Sequence, residues 1–143
     1  MNKKYLIVVA DYYKNIAKGL LKSANDLLPK STLIKIINVP GVFEIPVTIS
    51  KNIKKYDGFL ALGCVIKGET PHFDFISQAS TNAIMKLSTD YKKPIGNGII
   101  TCLNMQQALA RKKKGGEAAQ AVMSVLSQKK WEHHTILTKV HVS

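Results

Sequence analysis

Four short apolar runs, each followed by a stretch with apolar residues at helical spacing, constrain this 143-residue chain more than any other feature. Tyr5-Leu6-Ile7-Val8-Val9-Ala10, Leu33-Ile34-Lys35-Ile36-Ile37, Gly58-Phe59-Leu60-Ala61-Leu62 and Ile95-Gly96-Asn97-Gly98-Ile99-Ile100 are strand-sized and almost free of charge. A strand with one wet face alternates apolar and polar residues. A near-continuous apolar run belongs in a parallel sheet covered on both faces. The runs place strands at 4–10, 32–39, 58–66 and 95–102. Helical spacing predicts helices over 14–28, 43–55, 75–89, 104–111 and 116–131. In the first, Ile16, Leu20, Leu21, Ala24, Leu27 and Leu28 share one face. In the second, Ile45, Ile49 and Ile53 recur, and Pro46 suits a first turn.

The βαβα alternation implies right-handed crossovers and a doubly wound α/β sandwich with a four-stranded parallel sheet. The length argues for a single domain over 1–143. Four strands make a small sheet, so partner subunits are expected to complete its burial. The mean hydropathy of -0.01 fits a soluble protein, and no apolar run is long enough to cross a membrane. Met1-Asn2-Lys3-Lys4 leads straight into the first strand, which makes a poor signal peptide. Cys64 and Cys102 fall at the ends of buried strands and read as packed free thiols in a reducing, cytoplasmic setting. The net charge of +12 raises the question of nucleic acid. The lysines are scattered, however, and the one tight cluster, Arg111-Lys112-Lys113-Lys114, has no aromatics interleaved. No nucleic-acid or membrane partner is expected.

In open parallel sheets, ligands bind beyond the carboxyl ends of the strands, and helix starts there attract phosphate. Four strand-to-helix loops meet at that edge. They carry Asp11-Tyr12-Tyr13, Pro40-Gly41-Val42-Phe43-Glu44, Gly63 to Ile76, and Thr101-Cys102-Leu103-Asn104. There is no dinucleotide fingerprint and no Walker loop. His72 suits proton transfer near neutrality, or it is simply a helix-start histidine held by a neighbour. Its pairing with Asp74 is too sparse for a metal site. Glu44 either complements a helix dipole or accepts hydrogen bonds from a polyol. Tyr12 and Phe43 are core residues or stacking faces. Arg111, the only arginine in the chain, is either a solvated charge or a fork for phosphate. His133, His134 and His141 read as solvated residues of a polar carboxyl-terminal tail.

Gly41-Val42-Phe43-Glu44-Ile45-Pro46, the stretch from Ala61 through Asp74, Asn104 through Arg111, and Lys114-Gly115-Gly116-Glu117-Ala118-Ala119 resemble the lumazine synthases. The resemblance runs from about residue 5 to residue 128. It implies a flavodoxin-like αβα sandwich, assembled as a pentamer or a multiple of one, with active sites between neighbouring subunits. It implies a transferase of riboflavin biosynthesis that uses two small-molecule substrates and no cofactor or metal. These are 5-amino-6-(D-ribitylamino)uracil and 3,4-dihydroxy-2-butanone 4-phosphate, and the product is 6,7-dimethyl-8-ribityllumazine. By position, Tyr12, Val42, Phe43 and Glu44 would contact the pyrimidine and its ribityl chain. Cys64, Val65 and Ile66 would hold the pyrimidine through their backbone. Gly68, Glu69 and Thr70 would bind the phosphate, together with Arg111 of a neighbouring subunit. His72 would move protons, and Lys114 would lie near the substrate. Asn97 stands where many members have phenylalanine. The spacing from Arg111 to Lys114 is shorter than in many members, and the leader that in some members adds a strand to a neighbour is lacking. A riboflavin synthase of the same fold and a basic nucleic-acid-binding α/β module are the alternatives.

Overall fold

The computed structural model describes residues 2–68 and 72–128, the side chain of His72 excepted. Strands β1 (Lys4–Ala10), β2 (Leu33–Val39), β3 (Gly58–Ile66) and β4 (Ile95–Cys102) form one parallel sheet in the order β2-β1-β3-β4. Helices α1 (Lys14–Leu27) and α5 (Lys114–Leu126) cover one face. Helices α2 (Ile45–Asn52) and α3 (His72–Tyr91) cover the other, and a short α4 (Met105–Ala110) follows β4. The alternation of side chains along β1 assigns Tyr5, Ile7 and Val9 to the α1/α5 core, and Leu6, Val8 and Ala10 to the α2/α3 core. β3 is buried from Gly58 to Cys64, as its unbroken apolar run requires. No helix among the described residues is long and apolar enough to cross a membrane.

The expected layers and element order hold, with three departures. β2 is an edge strand and is not covered on both faces: Leu33 is 59% exposed and Ile36 41%. The stretch from Val42 to Glu44 is a turn of 3₁₀ helix rather than the start of α2, and Pro46 lies in α2's first turn. α5 starts at Lys114, with its two glycines inside the helix. The close packing of α5 explains them. A Cβ on Gly115 would run into the backbone carbonyl of Leu20 in α1, and one on Gly96 into that of Ala118. The Gly116 N–H donates to Ser23 Oγ at 2.9 Å, pinning α5 to α1. α5 ends at Leu126, with Ser127 and Gln128 already outside it, short of the end expected at 131; residues 129–131 lie outside the described residues, as do His133, His134 and His141.

Candidate functional site

All four strands end at the same edge, so the loops expected to converge do so. The β1–α1 turn is tied to the end of β2. Asp11 N–H donates to Val39 O at 3.0 Å, and Asn38 Nδ2 donates to Asp11 Oδ2 at 3.0 Å. That turn presents Tyr12, 75% exposed, with its ring edge-on to Tyr13 at a centroid distance of 4.9 Å. Gly63 lets the loops close up: a side chain there would meet Val42 and Ala10. Lys67 N–H donates to Cys102 O at 2.8 Å, which extends the β3–β4 pairing to the brink of the loop.

These elements enclose a cleft of about 400 Å³. One wall is Tyr12, Tyr13, Gly41 and Val42; the floor is Cys64, Val65 and Ile66; Gly68 lies at the rim. Phe73 and Ile76, from the first turns of α3, close the far side. Sequence reasoning did not single out these last two, although their i, i+3 spacing on one face of a helix start was a readable signal. Glu69 and Thr70 lie outside the described residues. His72 is the first residue of α3, next to Phe73 of the cleft.

The remaining candidates are elsewhere on the chain. Phe43, 67% exposed, and half-buried Glu44 face a second groove of about 410 Å³ between α2 and α3. Its lining is mostly apolar, with Pro46, Val47, Ala79 and Ala83. Ser80 Oγ is buried there without a hydrogen-bond partner among the described residues. Arg111 and Lys114 line a third recess of about 510 Å³, beside Ile99, Ile100 and Thr101 of β4. Arg111 Nη1 donates to Thr101 O at 3.1 Å and meets Cys102 Sγ at 3.9 Å. Lys114 Nζ stands 3.7 Å from Glu117 Oε1. Asn97 is exposed on β4, and its Oδ1 accepts from the Ile99 N–H at 3.0 Å. The cleft and the Arg111 recess share no lining residue. On one chain Arg111 lines this recess and is not among the residues lining the aromatic cleft.

The sequence of the 6,7-dimethyl-8-ribityllumazine synthase family matches residues 2–130. An enzyme of that name from Agrobacterium fabrum is 42% identical over 144 residues, covering 91% of this chain and 97% of the relative. Those of Bartonella tribocorum and Bartonella henselae are 43% and 45% identical, covering 91% and 87% of this chain and 93% and 87% of their own lengths. The chain belongs to the 6,7-dimethyl-8-ribityllumazine synthase family. Nearly the full length of these lumazine synthases is represented here.

Two of the cleft's side chains, Cys64 and Tyr13, are held in their neutral form. Burial, reinforced by the adjacent Cys102, pushes the Cys64 thiol up from 9.0 to about 12. Burial, with Cys64 and Tyr12 nearby, also raises the Tyr13 hydroxyl above 10.0. Cys64 and Cys102 are both buried free thiols. A neutral, buried thiol is a packing residue and not a nucleophile. At pH 8 neither cysteine should react with an aromatic disulfide reagent on the timescale of minutes, and both should react once the chain is unfolded in guanidinium. The raised thiol also carries a pH consequence. Unfolded, it ionises near 9.0; folded, it holds its proton to about 12. Its contribution to stability is thus complete below pH 9 and lost as the pH rises toward 12.

Proposed function

We propose that this protein condenses 5-amino-6-(D-ribitylamino)uracil with 3,4-dihydroxy-2-butanone 4-phosphate to give 6,7-dimethyl-8-ribityllumazine, with release of phosphate and water. Membership of the lumazine synthase family over residues 2–130 carries this reading. The geometry supports it. A cleft of about 400 Å³ falls within the range of small-molecule sites, roughly 300–1,000 Å³, and its apolar walls suit a flat heterocycle. Tyr12 offers a ring face, and the ends of Cys64, Val65 and Ile66 offer backbone groups to a pyrimidine edge. The ribityl chain extends toward Val42, Phe43 and Glu44, whose carboxylate accepts from hydroxyls. Gly68, Glu69 and Thr70 take the phosphate at the amino end of α3, where orphan N–H groups and the helix dipole favour an anion. His72 transfers protons during imine formation and phosphate elimination. Most of the acceleration comes from holding two reactants in register.

The site is completed by a neighbouring subunit, which supplies Arg111 to the phosphate, with Asn97 and Lys114 alongside. The apolar α2/α3 groove, with a Ser80 hydroxyl that has no partner among the described residues, is a feature that a subunit contact would cover. The assembly is a homopentamer or a multiple of one. The two free thiols are consistent with the cytoplasm. The direct test mixes the protein with both substrates and follows lumazine absorbance and fluorescence. Absence of product at saturating substrate overturns the assignment. Riboflavin formed from lumazine alone would indicate a riboflavin synthase instead.

Two substitutions separate the roles. His72→Ala should slow turnover by about 10²-fold, the low end of the usual range for acid–base help, because water reaches a site at a subunit seam. Binding of both substrates and the assembly should persist; unchanged turnover would make His72 a structural neighbour only. Arg111→Lys keeps the charge but loses the planar fork. Losing one charge-assisted hydrogen bond costs about 1.5–3 kcal/mol, or roughly tenfold to a hundredfold in affinity. The loss should fall on the butanone phosphate. Equal weakening of the pyrimidine would remove Arg111 from the phosphate role.

A further inference from the structure

Tyr12 is 75% exposed, so packing within the chain does little to hold its ring. Its orientation at the mouth of the cleft rests on the residues on either side of it. On the carboxyl side, Tyr13 opens α1. Its C=O accepts from the Ala17 N–H at 2.9 Å, and its ring packs against the α1/α5 core. On the amino side, Asp11 is held twice. Its N–H donates to Val39 O at 3.0 Å, one residue past the end of β1. Its Oδ2 accepts from Asn38 Nδ2, also at 3.0 Å. The first bond continues the β1–β2 ladder and needs no particular side chain. The second depends on the identity of both residues.

Asn38 is an unexpected residue for its place. β2 reads Leu-Ile-Lys-Ile-Ile-Asn-Val, and asparagine is depleted in strands, where its amide offers little to a pleated surface. It is exposed, so burial gains nothing from it. Its register partner on β1 is Val9, an apolar core residue, and the amide reaches past it to Asp11 at the strand's end. Water competes for both groups of an exposed pair, so the bond contributes little to global stability. What it does is local: it fixes the residue that precedes Tyr12. Neither Asp11 nor Asn38 lines the cleft, so any effect of the pair on a ligand passes through that ring.

We propose that Asn38 is a positioning residue for the pyrimidine site. Its bond to Asp11 sets the β1–α1 turn so that Tyr12 presents its ring face to the heterocycle. The inference rests on the reading of this cleft as the pyrimidine site.

Calorimetric binding of 5-amino-6-(D-ribitylamino)uracil, together with steady-state kinetics, tests it. Asn38→Val removes the bond but suits a strand, so Tm should stay within about 3 °C of the parent. Affinity for the pyrimidine should fall about fivefold to tenfold, the range that one aromatic stack is worth. The KM for the butanone phosphate should keep its parent value. In a Tyr12→Ala chain, Asn38→Val should cost nothing further, because its effect passes through the ring. Asn38→Asp sets one carboxylate against another and should weaken the pyrimidine at least as much. Adding Asp11→Asn to it exchanges donor and acceptor and should restore the parent affinity. Parent-like affinity in Asn38→Val, an undiminished loss in the Tyr12→Ala background, or no rescue by the exchanged pair overturns the proposal. A parent chain that binds no pyrimidine overturns the functional reading as well, which tells that failure apart from a failure of Asn38 alone.

Discussion

Chains carrying His72→Ala, mixed under subunit exchange with chains carrying Arg111→Ala, are expected to recover activity that neither has alone. The reason is the separation of the aromatic cleft from the Arg111 recess on one chain. On the proposed reading of a ring with shared sites, each site would take its cleft from one subunit and its arginine from the next. Random mixing at equal amounts then makes about a quarter of the sites intact, because a closed cyclic interface pairs unlike surfaces of successive copies. An intrachain site has no such route, and its activity stays at the floor at every mixing ratio. The parent values are low enough for the rescue to be clear. On the role proposed for it, Arg111→Ala would remove a charge-assisted contact, worth roughly 1.5–3 kcal/mol, and the full cost would rise with the phosphate left without its partner. Ring closure also predicts how the rescue depends on composition. Recovery should peak at equal proportions and fall symmetrically on either side. A rescue that rises in simple proportion to one variant would mean that this variant was active all along.

The layers were legible because parallel strands buried on both faces leave unbroken apolar runs, and β3 is such a run. β2 read the same way yet is half exposed, because Leu33 and Ile36 are as apolar as their counterparts in β3. What separates them is strand order, which depends on where the crossovers land and not on local composition. Gly115 and Gly116 look like a helix break in isolation. Only the approach of α1 explains why α5 carries them inside. Asn104 reads as both the end of the fourth loop and the start of the fourth helix, and it is the residue between them: its Oδ1 accepts from the Gln107 N–H at 2.9 Å and caps α4. The site divides along the same line. Loop convergence follows from parallel topology and was readable. The grip of Thr101 O on Arg111 joins residues ten apart through a helix and a strand end, and nothing in their identity announces it.

Gly115→Val is expected to be the most damaging single substitution in the α1–α5 contact. The new Cβ would run into the backbone of Leu20, and a carbonyl in the middle of a helix cannot turn aside as a flexible side chain can. α5 must instead lift from α1, opening the core around Ala118, Ala119 and Val122 and weakening the 2.9 Å bond from Gly116 N–H to Ser23 Oγ. Overpacking typically costs about 1–3 kcal/mol, and a clash with backbone belongs at the top of that range. Helix propensity acts in the opposite direction: replacing glycine inside a helix recovers up to about 1 kcal/mol. The clash outweighs it, so Gly115→Val should lose about 3 kcal/mol, seen as a fall in Tm of roughly 10 °C at fixed protein concentration. Gly115→Ala meets the same carbonyl with a smaller group and should fall between the parent and the valine variant. Gln120→Ala, at an exposed position of the same helix, should leave Tm within about 1–2 °C of the parent. If Gly115→Ala proved more stable than the parent, propensity would be the larger effect, and the glycine would not be there to admit Leu20.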